Sequence, residues 1–557
     1  MPNLTIDGKV VEFQNGQTII EVAKENKIKI PHFCWHPALS ISGNCRVCLV
    51  EVEKMPKLVI ACSTFAAEGM IVHTKSEKTL AARNAVMEFI LINHPLDCPI
   101  CDEAGECKLQ DYAFKHGMGE SRFDEIKQRK EKRVQLGPRI MFDGERCISC
   151  SRCIRFSDEI AKKNQLTFIK RGDRVTISTF PGEKFDNPYT LNTVDICPVG
   201  ALTSRDFRFK ARVWDMSSTN SICIGCARGC NTNIWVRNNE ILRLTPRRND
   251  AVNGYWMCDE GRLNTFKFVN SEDRIDGPYL KKENVLNKVE WSEALKEAAH
   301  RLKKYKSSEI GFIGSAFATC EDNYLLAKLA KQLGATNIDF MRHFKPGEGD
   351  EILVREDKSP NSYGAELVGI SPGSGALAYD DILNEIKSKK IKALYVLEDD
   401  LICGIAKNSE ILSSLELLIV HSTNKNSTTE LADIVFPVST FAEKNGTMIN
   451  FEGVIQRIRP AVATIEQDRA LDGMSMSRLD KFGTKYDKWA SGKKIDAKPS
   501  WKVITLIANA LGYKFKYNMA EDVFKNLSES ITEFEEVDYD KIGEMGTQLK
   551  SMKTAVK

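Results

Sequence analysis

The chain has 557 residues, 42% of them hydrophobic and 28% charged, with 79 Lys and Arg against 76 Asp and Glu. That length implies about three to five domains, and the near balance of charge gives no reason to expect a nucleic-acid partner. No apolar run approaches the roughly 18 residues of a membrane span. The N-terminus, MPNLTIDGKVVEF, has no basic region followed by an apolar core and no twin arginine, so a cytoplasmic location is expected. In a reducing compartment 17 cysteines point to metal ligation rather than disulfides. Fifteen of them lie between Cys34 and Cys258, which divides the chain into a metal-rich and a metal-poor half.

In chain order, residues 4–13 alternate apolar and polar around Asp7-Gly8, a hairpin signal. Thr18-x-x-Glu21 reads as a capping box that opens a short helix. Strands are expected at Val47–Glu53 and Leu58–Ala61, and helical spacing at Ser76–Asn93, before a Cys-rich loop at 94–107. The charged stretch Glu125–Arg133 reads as a solvated connector, and 140–205 and 215–272 as two further compact units. Beyond about 273, helical segments (Ser292–Tyr305, Asn323–Leu333) alternate with strand-like runs (Ile310–Ile313, Ala393–Leu397, Leu415–Val420). This alternation predicts an α/β region with a largely parallel sheet. Residues 464–500, polar and rich in Lys and Asp, read as an exposed insertion.

Four ligand sets occupy the first half. Cys34-x10-Cys45-x2-Cys48-x13-Cys62 offers four thiolates, three from a flexible loop and one from the end of a strand, and its long first gap favours an iron–sulfur cluster over zinc. His94-x3-Cys98-x2-Cys101-x5-Cys107 has only three cysteines. There His94 is the nearest fourth ligand, Asp97 and Asp102 are alternatives, and spacing alone leaves zinc and iron open. Cys147-x2-Cys150-x2-Cys153, with a remote Cys197-Pro198, has the ferredoxin arrangement for one cubane cluster. The positions where a two-cluster ferredoxin would carry a second set hold Ser157, Asn187, Thr190 and Thr193. Cys223-x2-Cys226-x3-Cys230-x27-Cys258 again favours a cubane. Cys320 and Cys403 are left over and read as structural, small buried hydrophobes.

The order of these motifs resembles the large iron–sulfur subunit (the G or 75-kDa type) of bacterial NADH–quinone oxidoreductase, respiratory complex I. The matching segments are GNCRVCLVEVE, HPLDCPICDEAGECKLQD, RCISCSRCIRFSDEI with VDICPVGALTSRDFRFKARVW, and CDEGR. The resemblance implies one 2Fe–2S cluster at the first set and three 4Fe–4S clusters at the others, with His94 a ligand of the second. It implies a multidomain α+β and α/β chain, in segments 1–78 (β-grasp 2Fe–2S ferredoxin), 79–139 (His-Cys 4Fe–4S), 140–214 (ferredoxin-like 4Fe–4S) and 215–272 (4Fe–4S of molybdopterin-oxidoreductase type). A shortened molybdopterin-oxidoreductase-like body, 273–510, and a C-terminal segment, 511–557, follow.

The implied function is electron relay from an NADH/FMN-binding partner subunit toward the quinone arm, on the cytoplasmic side of the inner membrane. No substrate site in this chain, no membrane span and no molybdopterin are expected. The rival is a catalytic molybdenum or tungsten formate dehydrogenase. It is opposed by Cys258-Asp259-Glu260-Gly261, which sets an acid where a Cys-x-Lys-Gly motif has its lysine. The electron-entry part of a soluble hydrogenase would keep both ferredoxin clusters, and a structural zinc protein would differ in metal content.

Overall fold

The computed structural model describes residues 1–373, 376–470, 472–476 and 492–550. The chain forms two compact units, Met1–Trp214 and Asp215–Lys557.

The first unit opens with a hairpin, β1 (Asn3–Ile6) and β2 (Lys9–Glu12), turned by Asp7 and Gly8, both at positive φ. With β3 (Leu49–Val52), β4 (Val59–Ile60) and β5 (Ile71–His73) it makes a mixed sheet of order β2-β1-β5-β3-β4, in which β1 and β5 are parallel. The expected capping box is present: Thr18 N donates to Glu21 Oε2 (2.8 Å), and the helix Ile19–Glu25 begins there. That helix buries Ile19, Ile20, Val22 and Ala23 against Leu4, Ile6, Val50 and Val52 of the sheet, each large side chain contributing roughly 1.5–3 kcal/mol.

A 15-residue helix, Glu77–Leu91, follows, capped by Ser76, and then a shorter one, Lys108–His116. Glu125–Arg133 is largely exposed, as a solvated connector should be, but it is tied down. Lys127 Nζ donates to the Leu91 and Ile92 carbonyls (3.0 and 2.6 Å), Lys130 Nζ to Val175 O (2.8 Å) and Lys132 Nζ to Asp97 (2.6 Å). The lysines are spent on a helix end, on backbone and on a carboxylate, so the stretch is a strap. Strands β6 (Val134–Gln135) and β7 (Ile140–Phe142), a hairpin of β8 (Leu166–Ile169) and β9 (Thr176–Thr179), and β10 (Leu202–Ser204) complete the unit, with β7 central in the order β10-β7-β6.

In the second unit β11 (Ser217–Ile222), β12 (Asn231–Arg237) and β13 (Glu240–Pro246) form an antiparallel meander. The body is built on a seven-stranded sheet containing β14 (Tyr279–Lys282), β15 (Val285–Lys288), β16 (Ile310–Gly314), β17 (Asn337–Phe340), β18 (Ala393–Leu397), β19 (Leu417–Ser422) and β20 (Ile434–Pro437). Its order is β15-β14-β20-β19-β18-β16-β17, parallel from β20 to β17, as the alternating pattern predicted. The order reverses between β16 and β18, so the carboxyl ends of those strands flank a topological switch point.

Buried polar side chains fill that point. Lys444 Nζ, fully buried, donates to Asp322 (2.8 Å) and to both oxygens of Glu398 (2.7 and 2.8 Å), and Trp501 N donates to Asp322 Oδ1 (2.7 Å). Arg274 makes a buried two-pronged pair with Glu443 (3.0 and 2.8 Å).

Two expectations are corrected. Cys403 is exposed rather than buried, whereas Cys320 is fully buried at the start of the helix Cys320–Gln332. The described ends of 464–500 are exposed only in part: Ile465 and Met476 face solvent, but Thr464, Arg469, Ile495 and Ala497 are buried and Met474–Ser475 pairs with β11. Residues 477–491 lie outside the described residues.

Glu321 is buried and accepts from Thr447 N (2.9 Å), Thr447 Oγ1 (3.0 Å) and Tyr539 OH (2.9 Å), and burial pushes its carboxyl up to about 7. A carboxyl raised on folding contributes stability in full below its unfolded value and loses it as pH climbs through the folded one. Glu321→Gln should therefore flatten the decline in stability of this unit between about pH 5 and 8, measured by urea unfolding at each pH. Identical pH profiles for the two proteins would refute this.

Candidate metal centres

The first set is gathered by the β3–β4 side of the opening sheet. Cys34, Cys48 and Cys62 are buried and Cys45 is partly so. Gly43 and Arg46, both at positive φ, curl the loop, and Cys34 N donates to Cys45 Sγ (3.5 Å). The Cys34 sulfur neighbours those of Cys45 and Cys62, and the Cys62 sulfur that of Cys48. Contact with Cys34 and Cys48 raises the Cys62 thiol, and contact with Cys34 raises Cys45. Sulfurs crowded this way share protons until a metal replaces them.

The second set lies in the loop between the helices Glu77–Leu91 and Lys108–His116. Cys107 occupies the position before the second helix, Cys101 is buried and Cys98 exposed. Burial lowers the His94 imidazole to about 4, with Arg146 and Lys127 adding to the effect, so it is neutral at physiological pH. Its Nδ1 is buried without a hydrogen-bond partner. A neutral imidazole with a ring nitrogen to spare is what metal ligation requires. The competing carboxylates are engaged: Asp97 with Lys132 (2.6 Å) and Arg146 (2.9 Å), and Asp102 with the Phe209 amide (2.8 Å).

Cys147, Cys150, Cys153 and Cys197 line one apolar pocket with Phe142, Ile177 and Leu202. Ser149 and Ser151 adopt left-handed φ (52° and 60°), which folds three cysteines into a single turn, and Ser149 N donates to Cys147 Sγ (3.4 Å). Burial raises all four thiols, Cys147 to about 11. The lost second set is closed by hydrogen bonds. Ser157 donates to Lys163 O, Asn187 Oδ1 accepts from Tyr189 N (3.0 Å), and Thr193 donates to Thr190 O (2.7 Å). The buried rings of Phe156, Phe185 and Tyr189 occupy this part of the unit.

In the second unit the β11–β12 turn carries Cys223, Cys226 and Cys230, and Cys258 precedes a short helix, Asp259–Leu263. The four line a cavity of about 300 Å³. A Cβ on Gly261 would stand 2.8 Å from Cys223 Sγ and 3.2 Å from Cys258 Sγ, so only glycine leaves both sulfurs in place. Gly261 N and Gly225 N donate to Cys258 Sγ (3.3 Å) and Cys223 Sγ (3.4 Å). Burial raises the Cys258 thiol to about 11. Among the described residues no three His, Cys, Asp or Glu side chains converge on one point as a single ion would need.

Within the first unit the sets are linked by direct contacts that the spacing did not reveal. Asn44 Nδ2, beside Cys45, donates to Ser149 O (2.9 Å), and Arg155 bonds the carbonyls of both Cys34 and Cys150. The buried Arg152 joins Trp35 O to Ile196 O. On the other side Lys108 N donates to Pro198 O (3.1 Å), and a Cβ on Gly200 would lie 2.3 Å from Cys101 Sγ. The third set therefore touches both the first and the second, while Phe33, next to Cys34, also packs on Tyr112 of the helix after Cys107 (ring centroids 5.2 Å).

These folds and thiol-lined sites define a multidomain iron–sulfur protein of ferredoxin type. Family models agree: a 2Fe-2S iron-sulfur cluster binding domain matches residues 2–77, and an NADH-ubiquinone oxidoreductase-G iron-sulfur binding region matches 83–122. The ferredoxin-like domain of NADH-quinone oxidoreductase subunit 3 matches 137–203, an NDSU1/NuoG-like 4Fe-4S domain 216–265, and molybdopterin oxidoreductase 274–371 and 361–470.

The G-type NADH-quinone oxidoreductase subunit of Rickettsia conorii is 41% identical over 338 residues, 60% of this chain and 50% of that protein. Its counterpart in Streptomyces coelicolor is 38% identical over 355 residues (63% and 42%), and the NADH-ubiquinone oxidoreductase 75 kDa subunit of Reclinomonas americana 39% over 340 (61% and 49%). The chain spans about half the length of the curated relatives it matches. A crystal structure of NAD+-reducing [NiFe]-hydrogenase in the H2-reduced state is 31% identical over 38% of this chain and 91% of its own, but at a TM-score of 0.35 it says nothing of the fold. The chain is similar to the large iron–sulfur subunits of NADH–quinone oxidoreductase over 60–63% of its own length and 42–50% of theirs.

If His94 ligates iron, a neutral donor stands where an anionic thiolate otherwise would, which favours the reduced cluster. His94→Cys is expected to retain a four-iron cluster with a lower midpoint, read by redox-titrated EPR. An unchanged midpoint would remove His94 from the ligand set.

Proposed function

We propose that this chain relays single electrons within respiratory complex I, from an NADH/FMN-binding partner subunit toward the quinone-reducing arm. The first set would hold a 2Fe–2S cluster through Cys34, Cys45, Cys48 and Cys62. The other three would hold 4Fe–4S clusters through His94, Cys98, Cys101 and Cys107; Cys147, Cys150, Cys153 and Cys197; and Cys223, Cys226, Cys230 and Cys258. When bound, such clusters supply one-electron carriers and leave no bond-making to side chains. The cysteines and His94 hold the irons, and backbone amides donating to sulfur tune them.

The observation that carries the reading is the contact series in the first unit, which runs first set, third set, second set. It gives electrons a route in that order, different from the order along the chain. The exit we assign is the second set, where Cys98 is exposed between Leu96 (88% exposed) and Ile100 (64%), a surface suited to a docked acceptor subunit. For the fourth set the family resemblance implies a place off this route.

The resemblance supports a peripheral subunit on the cytoplasmic side of the inner membrane. Among the described residues no helix is long and apolar enough to cross a membrane. The formate dehydrogenase alternative is not favoured. The crevice at the body's switch point is occupied by Lys444, Glu398 and Asp322, and Glu260 puts an acid beside the fourth set. The body is read as scaffold without molybdopterin.

Elemental analysis of the anaerobically purified protein should give about 14 irons per chain with matching sulfide and negligible zinc and molybdenum. Stoichiometric molybdenum or tungsten would overturn the scaffold reading, and about 10 irons would mean one empty four-iron site. In the assembled complex, Cys153→Ser should abolish the third cluster's signal and NADH–quinone turnover, whereas Cys226→Ser should depress assembly more than electron flux. Full turnover with the third cluster missing would sink the proposed route.

A further inference from the structure

We infer that Lys358, on the cavity wall, raises the midpoint of the fourth site above the value its four cysteines alone would give. The inference rests on reading that set as a four-iron site. Besides the sulfurs, four charged side chains line the cavity: Lys345, Lys358, Glu260 and Glu348. Their formal charges cancel, but Glu348 lies 3.8 Å from both lysines and divides its charge between them. Exposure weakens all but Lys358, which acts against a background from the buried Asp259 and the part-buried Asp350 and Arg228. Lys358 is 20% exposed, against 60% for Lys345 and 57% for Glu348, and Glu260 is also exposed, where Asn264 Nδ2 donates to it. Water and salt screen the other three far more than Lys358.

Lys358 is also fixed relative to the sulfurs. Its Nζ donates to Glu348 O (2.7 Å) and its amide to His343 O (2.9 Å). The neighbouring Asp357 accepts from Ala227 N (2.9 Å) between Cys226 and Cys230, and Arg228 Nε donates to Leu353 O (3.3 Å). The segment that follows β17 is thus hydrogen-bonded onto the cysteine loop and carries its lysine to the cavity wall. Two further cations, Arg228 and Arg355, stack on Phe451 (4.8 and 3.6 Å), and Arg228 also pairs with Glu452 (3.6 Å), so neither lines the cavity. Reduction adds a negative charge to the site, and a poorly screened cation at its wall favours that state.

The test is redox-titrated EPR of the fourth cluster in the purified full-length protein, with iron counted in each variant. Lys358→Met should shift its reduction equilibrium about tenfold toward the oxidised form, about 59 mV for a one-electron couple, at unchanged iron content. Lys345→Met should shift it less, and Glu348→Gln should shift it toward the reduced form by removing the partner that offsets Lys358. A wild-type midpoint in Lys358→Met with full iron content would overturn the inference. Should Lys358→Met lose the cluster, Lys358→Gln replaces it, and a wild-type midpoint there at full iron content overturns the inference. A wild-type protein four irons short, with no fourth signal, would instead overturn the reading of the fourth set and the inference with it.

Discussion

Holding four sulfur atoms around a common void governs most of the metal-rich half. Burial raises the thiols of the third set and of Cys258, while in the first set contact between sulfurs raises Cys45 and Cys62 and lowers Cys34 and Cys48. A charged metal group is what lowers the raised thiols, so folding of these loops and metal loading are coupled. The backbone must also bend sharply to aim successive cysteines inward. Left-handed residues do this at Gly43, Arg46, Ser149, Ser151 and Gly229. Gly200 and Gly261 are glycine for another reason: a Cβ there would displace a sulfur.

The same constraint explains why the sites of the first unit touch. A loop that surrounds a cluster has few backbone groups left for regular structure, and buried amides and carbonyls need partners. Here they find them in the neighbouring cysteine loop: Ser149 O with Asn44, Pro198 O with Lys108 N, and the carbonyls of Cys34 and Cys150 with Arg155. Satisfying the backbone and bringing the sites together are one arrangement. Arg152 and Arg155 are suited to it because a planar guanidinium can bridge several carbonyls at once.

Local features are legible in the chain: the Asp7-Gly8 turn, the Thr18–Glu21 box, and the alternation that builds the parallel sheet depend on residues a few positions apart. The cysteine spacings are legible for the same reason. The strap at 125–133 is hidden because its lysines find their partners about 35 to 45 residues away, at Leu91, Ile92, Asp97 and Val175, and not in its own composition. The exposure of Cys403 is hidden because a turn flanked by apolar residues gives no sign of which side faces water. The contact order of the sets, and Lys358 at the fourth, arise between segments roughly a hundred residues apart, where periodicity carries no information.

The body shows how a binding crevice is closed. At the switch point of a doubly wound sheet, strand ends diverge and leave backbone and side chains to be satisfied by a ligand or by the protein itself. Here Lys444 bridges Asp322 and Glu398, burial raises the Glu398 carboxyl to about 7, and Ser500 donates to Glu398. Buried pairs of this kind add little net stability against an apolar core, yet removing one partner strands a charge at about 3–5 kcal/mol. Once such a network has formed, a phosphate-bearing ligand could enter only by displacing Lys444 from its carboxylates or by meeting those carboxylates unpaired. Either path is uphill, and that energetic barrier is the physical ground for the proposed reading of the body as a scaffold.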